Sequence, residues 1–268
     1  MLAVRTALAL AAILISLCAS KPVIRVQNHS KQSICYKVEY SNGTGAFPSN
    51  ATCGGAKGTE VGGFWLKPGQ SQVFNATGSN GARFNGAITA VLENNTVWAA
   101  RNEINLLNAS LAWYDVDYQY GISGSTCGPA NDSILLLGGP ASDSILLSGG
   151  PANGSSLLSG ESDPIGKVNK AWRTLNQTTK SQLLAFPEFL TQDGSGTLTN
   201  ISMGINAWPY RAPAVIDFFQ NTAGLKAYMS PGGNTSVWPE GSIQEALTKG
   251  ANLVQYSAPT EHIVITSY

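Results

Sequence analysis

Charge is scarce in this chain of 268 residues: only 12% are charged, against roughly 25% in an ordinary soluble domain. Sixteen Lys and Arg balance sixteen Asp and Glu. With no basic excess, phosphate neutralisation cannot drive binding, and nucleic acid is excluded as an expected partner. Histidine is nearly absent. Neither His29 nor His262 stands at metal-ligand spacing from a cysteine. There is no Gly-x-Ser-x-Gly elbow and no His-Glu-x-x-His, and the glycines at 58, 62 and 63 lack the Lys-Ser/Thr of a phosphate loop. The sequence therefore calls for no cofactor and no metal, and its motifs point away from an enzyme. No run after residue 20 approaches the roughly 20 apolar residues a bilayer span needs, so no stable membrane insertion is expected.

What is present begins with a leader. Arg5 is the only charge before Lys21, an apolar run spans Ala7 to Leu17, and small residues Cys18 and Ser20 fill the −3 and −1 positions. That is the layout of a cleavable secretory signal over residues 1–20. Eleven Asn-x-Ser/Thr acceptors follow, at Asn28, Asn42, Asn50, Asn75, Asn94, Asn108, Asn131, Asn153, Asn176, Asn200 and Asn234. Chance would supply about three from 20 Asn and 46 Ser and Thr in 268 residues. The excess points to a glycoprotein that is secreted, extracellular or in the cell wall, with sugar hydrating a surface poor in charge. Removal of Cys18 leaves Cys35, Cys53 and Cys127. In an oxidising compartment two should pair. Cys35 with Cys53 is the first choice, and Cys127 is left free or exchanged for one of them.

Residues 21–127 read as β structure. Val23–Gln27, Ser33–Tyr40, Gly62–Leu66, Ser71–Phe74, Ala87–Leu92, Thr96–Ala100, Glu103–Leu106 and Ala112–Tyr118 each carry strand-like patterning. Lys67-Pro68-Gly69 is a turn signal. Short strands between Gly- and Asn-rich turns predict an antiparallel sandwich. Residues 128–160 repeat a Gly-Pro-Ala-x-Asp-Ser-Ile-Leu-Leu unit three times with a period of eleven. Gly-Pro in each unit forbids a continuous helix, and the segment reads as a low-complexity loop. Residues 161–268 are mixed α/β. Helices are expected over Val168–Leu184, from Pro213 onward and over Ser242–Tyr256, with strands at Thr197–Ser202 and Ile263–Thr266. The last strand is expected to return to the sheet.

The β half resembles the thaumatin-like superfamily. Leu66-Lys67-Pro68-Gly69-Gln70-Ser71 is similar to its Leu-x-Pro-Gly-x-Ser turn. Ala100–Leu106 followed by Trp113–Gly121 resembles its acid-bearing strand and the aromatic strand after it. The resemblance covers residues 22–127 and the closing strand, and the cysteine-rich frame of the family is absent. It implies a mainly β, thaumatin-like antiparallel sandwich with an appended α/β segment, of the cysteine-poor secreted type found in fungi. It also implies an acidic cleft, to which Glu103 and Asp115, twelve residues apart, are the positions carried over. A cleft arginine is implied near 82–87, where Gly86 and Arg83 stand, and a further acid near Tyr120. Asp117 alternates onto the face of Asp115 and is a third ligand-binding candidate. The pair Glu103 and Asp115 has the residue types that glycoside hydrolysis uses; read simply as strand residues, both are solvated. Of the tryptophans, Trp65, Trp98 and Trp113 are expected in the core, and Trp208 and Trp238, beside prolines, outside it. The leading reading is a non-enzymatic glycan-binding glycoprotein whose partner is a cell-wall polysaccharide. The alternatives are a degenerate β-glucan hydrolase and a secreted effector that binds a host protein.

Overall fold

The computed structural model describes residues 22–39, 51–53, 60–77, 81–92, 98–108, 111–118, 121–130, 158–202, 213–227, 256–258 and 262–268. The expected leader, most of the eleven-residue repeat, the expected helix over 242–255, and Trp208 and Trp238 lie outside them, as does the side chain of Trp98.

The chain is mainly β, built of antiparallel sheets with a short helical part toward its C-terminal end. Six strands form one sheet: β2 (Ile34–Glu39), β3 (Glu60–Leu66), β5 (Asn85–Leu92), β6 (Trp98–Asn108), β7 (Leu111–Asp117) and β12 (Tyr256–Ala258), in the order β12-β7-β6-β5-β2-β3. Five form a second: β1 (Val23–Asn28), β4 (Ser71–Asn75), β8 (Ser125–Pro129), β9 (Ser159–Glu161) and β13 (His262–Ser267), in the order β4-β1-β13-β8-β9. Alternation decides what each strand buries. Tyr36 and Val38 of β2, Ile104 of β6 and Tyr114 of β7 meet Ile24 and Val26 of β1 and Ile263 and Ile265 of β13 in one hydrophobic core. Phe64 of β3 stacks on Tyr36 with ring centroids 5.4 Å apart and tilts against Phe74 of β4 at 4.8 Å, so the two sheets pack through aromatic rings.

The turn between β3 and β4 takes the form its residues demand. Pro68 presets its own φ, Gly69 adopts φ +78°, and Gln70 N–H donates to the Lys67 carbonyl at 3.0 Å, which is type II geometry. The last strand does return. β13 pairs in parallel with β1 and antiparallel with β8, so the end of the chain occupies the centre of the five-stranded sheet. Cys35 and Cys53 form a disulfide, and Ala51 N–H donates to the Gly63 carbonyl at 3.1 Å on edge strand β3. Cys127 is a buried free thiol.

Several elements differ from expectation. Thr96–Ala100 and Glu103–Leu106 are expected as two strands; their described residues, from Trp98 onward, belong to the single strand β6. The helix expected over Val168–Leu184 is two helices, α1 (Pro164–Thr174) and α2 (Gln177–Leu183). Asn176 makes the break: its backbone is extended and its Oδ1 accepts from Thr179 N–H at 2.9 Å, so it caps α2 rather than continuing α1. Asp163 caps α1 with Pro164 in the first turn. Val168 and Trp172 are its buried face, and the Trp172 indole donates to the Gly196 carbonyl at 3.0 Å. Strand β11 (Leu198–Ile201) stands where expected and pairs with β10 (Leu190–Gln192), which was not foreseen. Pro213 opens α3 (Pro213–Asp217), which runs into a π-helical segment over Phe218–Thr222. Tyr256, expected to end a helix, begins strand β12.

Candidate functional site

The six-stranded sheet turns its second face away from the core, and pairing arranges the polar residues there in rows. Lys37 pairs with Thr89, Thr89 with Arg101, and Arg101 with Asp117. One step along, Glu39 pairs with Ala87, Ala87 with Glu103, and Glu103 with Asp115. A third row holds Asn85, Asn105 and Trp113. Period-2 alternation puts all of them on one face.

This face is not solvated throughout. Lys37, Glu39, Thr89, Asp115 and Asp117 are buried, and buried charges persist only when paired. Arg101 supplies most of the pairing. Its Nε lies 2.9 Å from Glu39 Oε2, Nη1 contacts Glu103 Oε1, and Nη1 lies 3.9 Å from Asp117 Oδ2. Lys37 Nζ sits 3.0 Å from Glu39 Oε1, and the Thr89 hydroxyl donates to Glu39 Oε2 at 3.3 Å. Asp115 is the exception: its buried Oδ1 accepts no hydrogen bond. Burial and the neighbouring negative charge of Asp117 push its carboxyl up to about 8, with Arg101 acting in the opposite direction. Burial thus favours the neutral form of Asp115, while Glu103, its partner across the strands, lies against the Arg101 guanidinium. Two carboxyls with divergent environments stand side by side, the arrangement that separates acid and base roles.

Glu103, Asp115 and Asp117 are thus brought together on β6 and β7. Of the two positions where the resemblance implies an arginine, Gly86 has no side chain, and Arg83 precedes β5, in a bridge to Thr77. The cation comes instead from Arg101, on the same strand as Glu103. Lys37, Glu39 and Arg101 were all missed by sequence reasoning. Their signal was present in the alternations Lys37/Glu39 and Arg101/Glu103, which read as ordinary outward positions. Trp65 and Trp113, expected in the core, are each 43% exposed; both occupy the outward phase of their strands, so the sheet never buries them. Trp172 is the buried one among the described tryptophan side chains.

Of the acceptor asparagines, Asn75, Asn108 and Asn176 are exposed, Asn200 is half-buried and Asn28 is fully buried. Asn42, Asn50, Asn94, Asn131, Asn153 and Asn234 lie outside the described residues. A separate cleft of about 410 Å³ opens at one end of the sandwich, floored by Ile34 and Ala90 and rimmed by His29, Lys31, Ser123 and Tyr268. No helix among the described residues is long and apolar enough to cross a membrane.

No family model matches the chain, and no curated protein matches it. Among solved structures it is similar to the protein elicitor MoHrip2 from Magnaporthe oryzae, with 15% identity over 41% of this chain and 70% of that one, at a TM-score of 0.26. It is also similar to IP-1A from Alcaligenes faecalis, with 9% identity over 35% of this chain and 66% of that one, again at 0.26. Likenesses this slight say nothing about what the chain does.

Proposed function

We propose that the chain is a secreted glycoprotein of the extracellular space or cell wall, of a cysteine-poor thaumatin-like type found in fungi, and that it binds glycan on the outward face of the six-stranded sheet without turning it over. One observation carries this reading. Trp113 stands exposed in a row with Asn105 and Asn85, directly beside the row that holds Glu103 and Asp115. An exposed ring offers an apolar platform to the face of a sugar, and adjacent amides and carboxyls answer its hydroxyls. The paired Lys37–Glu39–Arg101–Asp117 network stands on the same face, in the neighbouring rows. The leader and the acceptor asparagines support export.

A glycan array followed by titration calorimetry on the best soluble oligosaccharide tests the reading. Trp113→Ala is expected to weaken binding at least tenfold, about 1.4 kcal/mol, while the unfolding midpoint stays near that of the parent. Unchanged affinity would rule out the Trp113 row.

A second reading has its own observation. Glu103 and Asp115 stand directly opposite one another in the β6–β7 pair, and glycoside hydrolysis works through two neighbouring carboxyls, about 5–9.5 Å apart according to mechanism. The upward shift of Asp115 to about 8 is in the direction a general acid needs, and Glu103 is the second carboxyl, in contact with Arg101. A β-glucan hydrolase would release reducing sugar and lose it in both Asp115→Asn and Glu103→Gln. Binding that Glu103→Gln abolishes, with no reducing sugar released by the parent, keeps the binding protein. No affinity for any glycan would leave an effector that acts on a host protein.

A further inference from the structure

Asn28 heads an acceptor triplet, Asn28-His29-Ser30, yet its amide already has a complete set of partners. Nδ2 donates to the Gln32 carbonyl at 2.8 Å and to the Leu66 carbonyl at 2.9 Å. Oδ1 accepts from Ser30 N–H at 2.9 Å and from the Ser30 hydroxyl at 2.7 Å. The residue is 0% exposed. Its own backbone joins the same knot: Asn28 N–H donates to the Gln70 carbonyl at 2.9 Å, and its carbonyl accepts from Gly69 N–H at 2.7 Å. One side chain thereby ties the end of β1 to the β1–β2 turn and to the β3–β4 turn.

N-glycosylation forms a bond from the amide nitrogen to C1 of an oligosaccharide carried on a lipid diphosphate. The amide gives up one N–H proton, and the lipid diphosphate leaves. A modified Asn28 would keep one of the two N–H groups that now bind Gln32 and Leu66, and its sugar would have to occupy space already filled by the protein. The exposed acceptors differ in the atom they use. Asn75 accepts from Thr77 N–H at 3.0 Å and Asn176 from Thr179 N–H at 2.9 Å, both through Oδ1. A glycan on Nδ2 leaves those bonds intact. Asn108 is exposed at the end of β6, before the turn into β7. Asn200 lies between the two cases: it is half-buried, and its Nδ2 donates to the Glu188 carbonyl at 3.3 Å.

We propose that Asn75, Asn108 and Asn176 are glycan acceptors and that Asn28 is an acceptor in sequence alone, retained as an unmodified amide that locks two turns together. The proposal rests on the export reading. The test is expression of the full chain, with its own leader, in a eukaryotic secretory host. Protein from the medium is treated with peptide-N-glycosidase in ¹⁸O water, and each acceptor is mapped by mass spectrometry. Asn75, Asn108 and Asn176 are expected to carry the isotopic mark, Asn200 to carry less of it, and Asn28 none. Asn28→Gln should leave the intact glycoprotein mass without any loss of glycan and lower the yield of folded protein several-fold. Asn75→Gln should remove one glycan at unchanged yield. A marked Asn28 in folded, monomeric protein would overturn the proposal, as would three bare exposed acceptors in exported chain. A chain that keeps its leader and stays protease-accessible outside the lumen overturns the export reading instead, and the acceptor assignment falls with it.

Discussion

At the scale of single residues, Asp115 is where the chain departs furthest from ordinary behaviour. Burial and Asp117 raise its carboxyl from 3.8 to about 8. Between those two values the folded protein holds a proton that the unfolded chain has released. Stability must therefore fall as pH rises through that window, the reverse of the usual carboxylate effect. In urea titrations at pH 5 and pH 8, the Asp115→Asn variant should show a smaller drop in midpoint than the parent, because its side chain cannot ionise. Equal drops in the two proteins would mean that Asp115 does not sit in this environment. The burial that favours neutral Asp115 also explains why sequence reasoning located it and misread it. Its alternation with Tyr114 and Val116 gave the correct face. Nothing in the local sequence says that this face is buried at Asp115 and exposed at Trp113, two residues away.

The element that organises the site is β6. It lies between β5 and β7, and Arg101 on it touches Glu39, Glu103 and Asp117. Removing a cation from such a cluster leaves Glu39 and Asp117 buried without it. Arg101→Met is expected to cost about 3–5 kcal/mol in urea unfolding. Adding Asp117→Asn should recover part of that loss, since one of the stranded charges is gone. A cost below about 1 kcal/mol, the range of exposed ion pairs, would show the cluster to be solvated. The continuity of β6 was hidden for a related reason. Asn102 points into the core phase, where a strand is expected to be apolar, and it splits the hydrophobic pattern in two. The tertiary structure supplies its partners: its amide donates to the Ile88 carbonyl at 3.1 Å, and its Oδ1 accepts from the Ser125 hydroxyl at 3.0 Å. Satisfied in this way, a buried amide is tolerated in a strand.

For the whole molecule the decisive pairing is that of β13. It lies between β1 and β8, its parallel register with β1 starting where His262 meets Val23, 239 positions earlier in the chain, and Ile263 and Ile265 enter the core. A chain truncated before His262 would leave β4-β1 and β8-β9 as separate ribbons, each too small to be stable in water. Such a truncation is expected to abolish cooperative urea unfolding, read by near-ultraviolet circular dichroism, and to make the β1–β4 region protease-sensitive. A cooperative transition in the truncated chain would refute this.

Local physical chemistry was enough to locate most strands, the Pro68-Gly69 turn, the Cys35–Cys53 pair and the mainly β class, because each depends on periodicity, backbone preference or proximity along the chain. It could not locate β8 and β9. Ser125–Pro129 and Ser159–Glu161 carry little strand patterning, and they are strands because β13 and then β8 offer them backbone partners. Nor could it give the state of the site. Glu103 and Asp115 were visible as acids, but the burial that raises the Asp115 carboxyl and the ion pair that ties Arg101 to Glu39 arise from strands separated in sequence. Those are long-range effects of desolvation and pairing, and only the assembled sheets decide them.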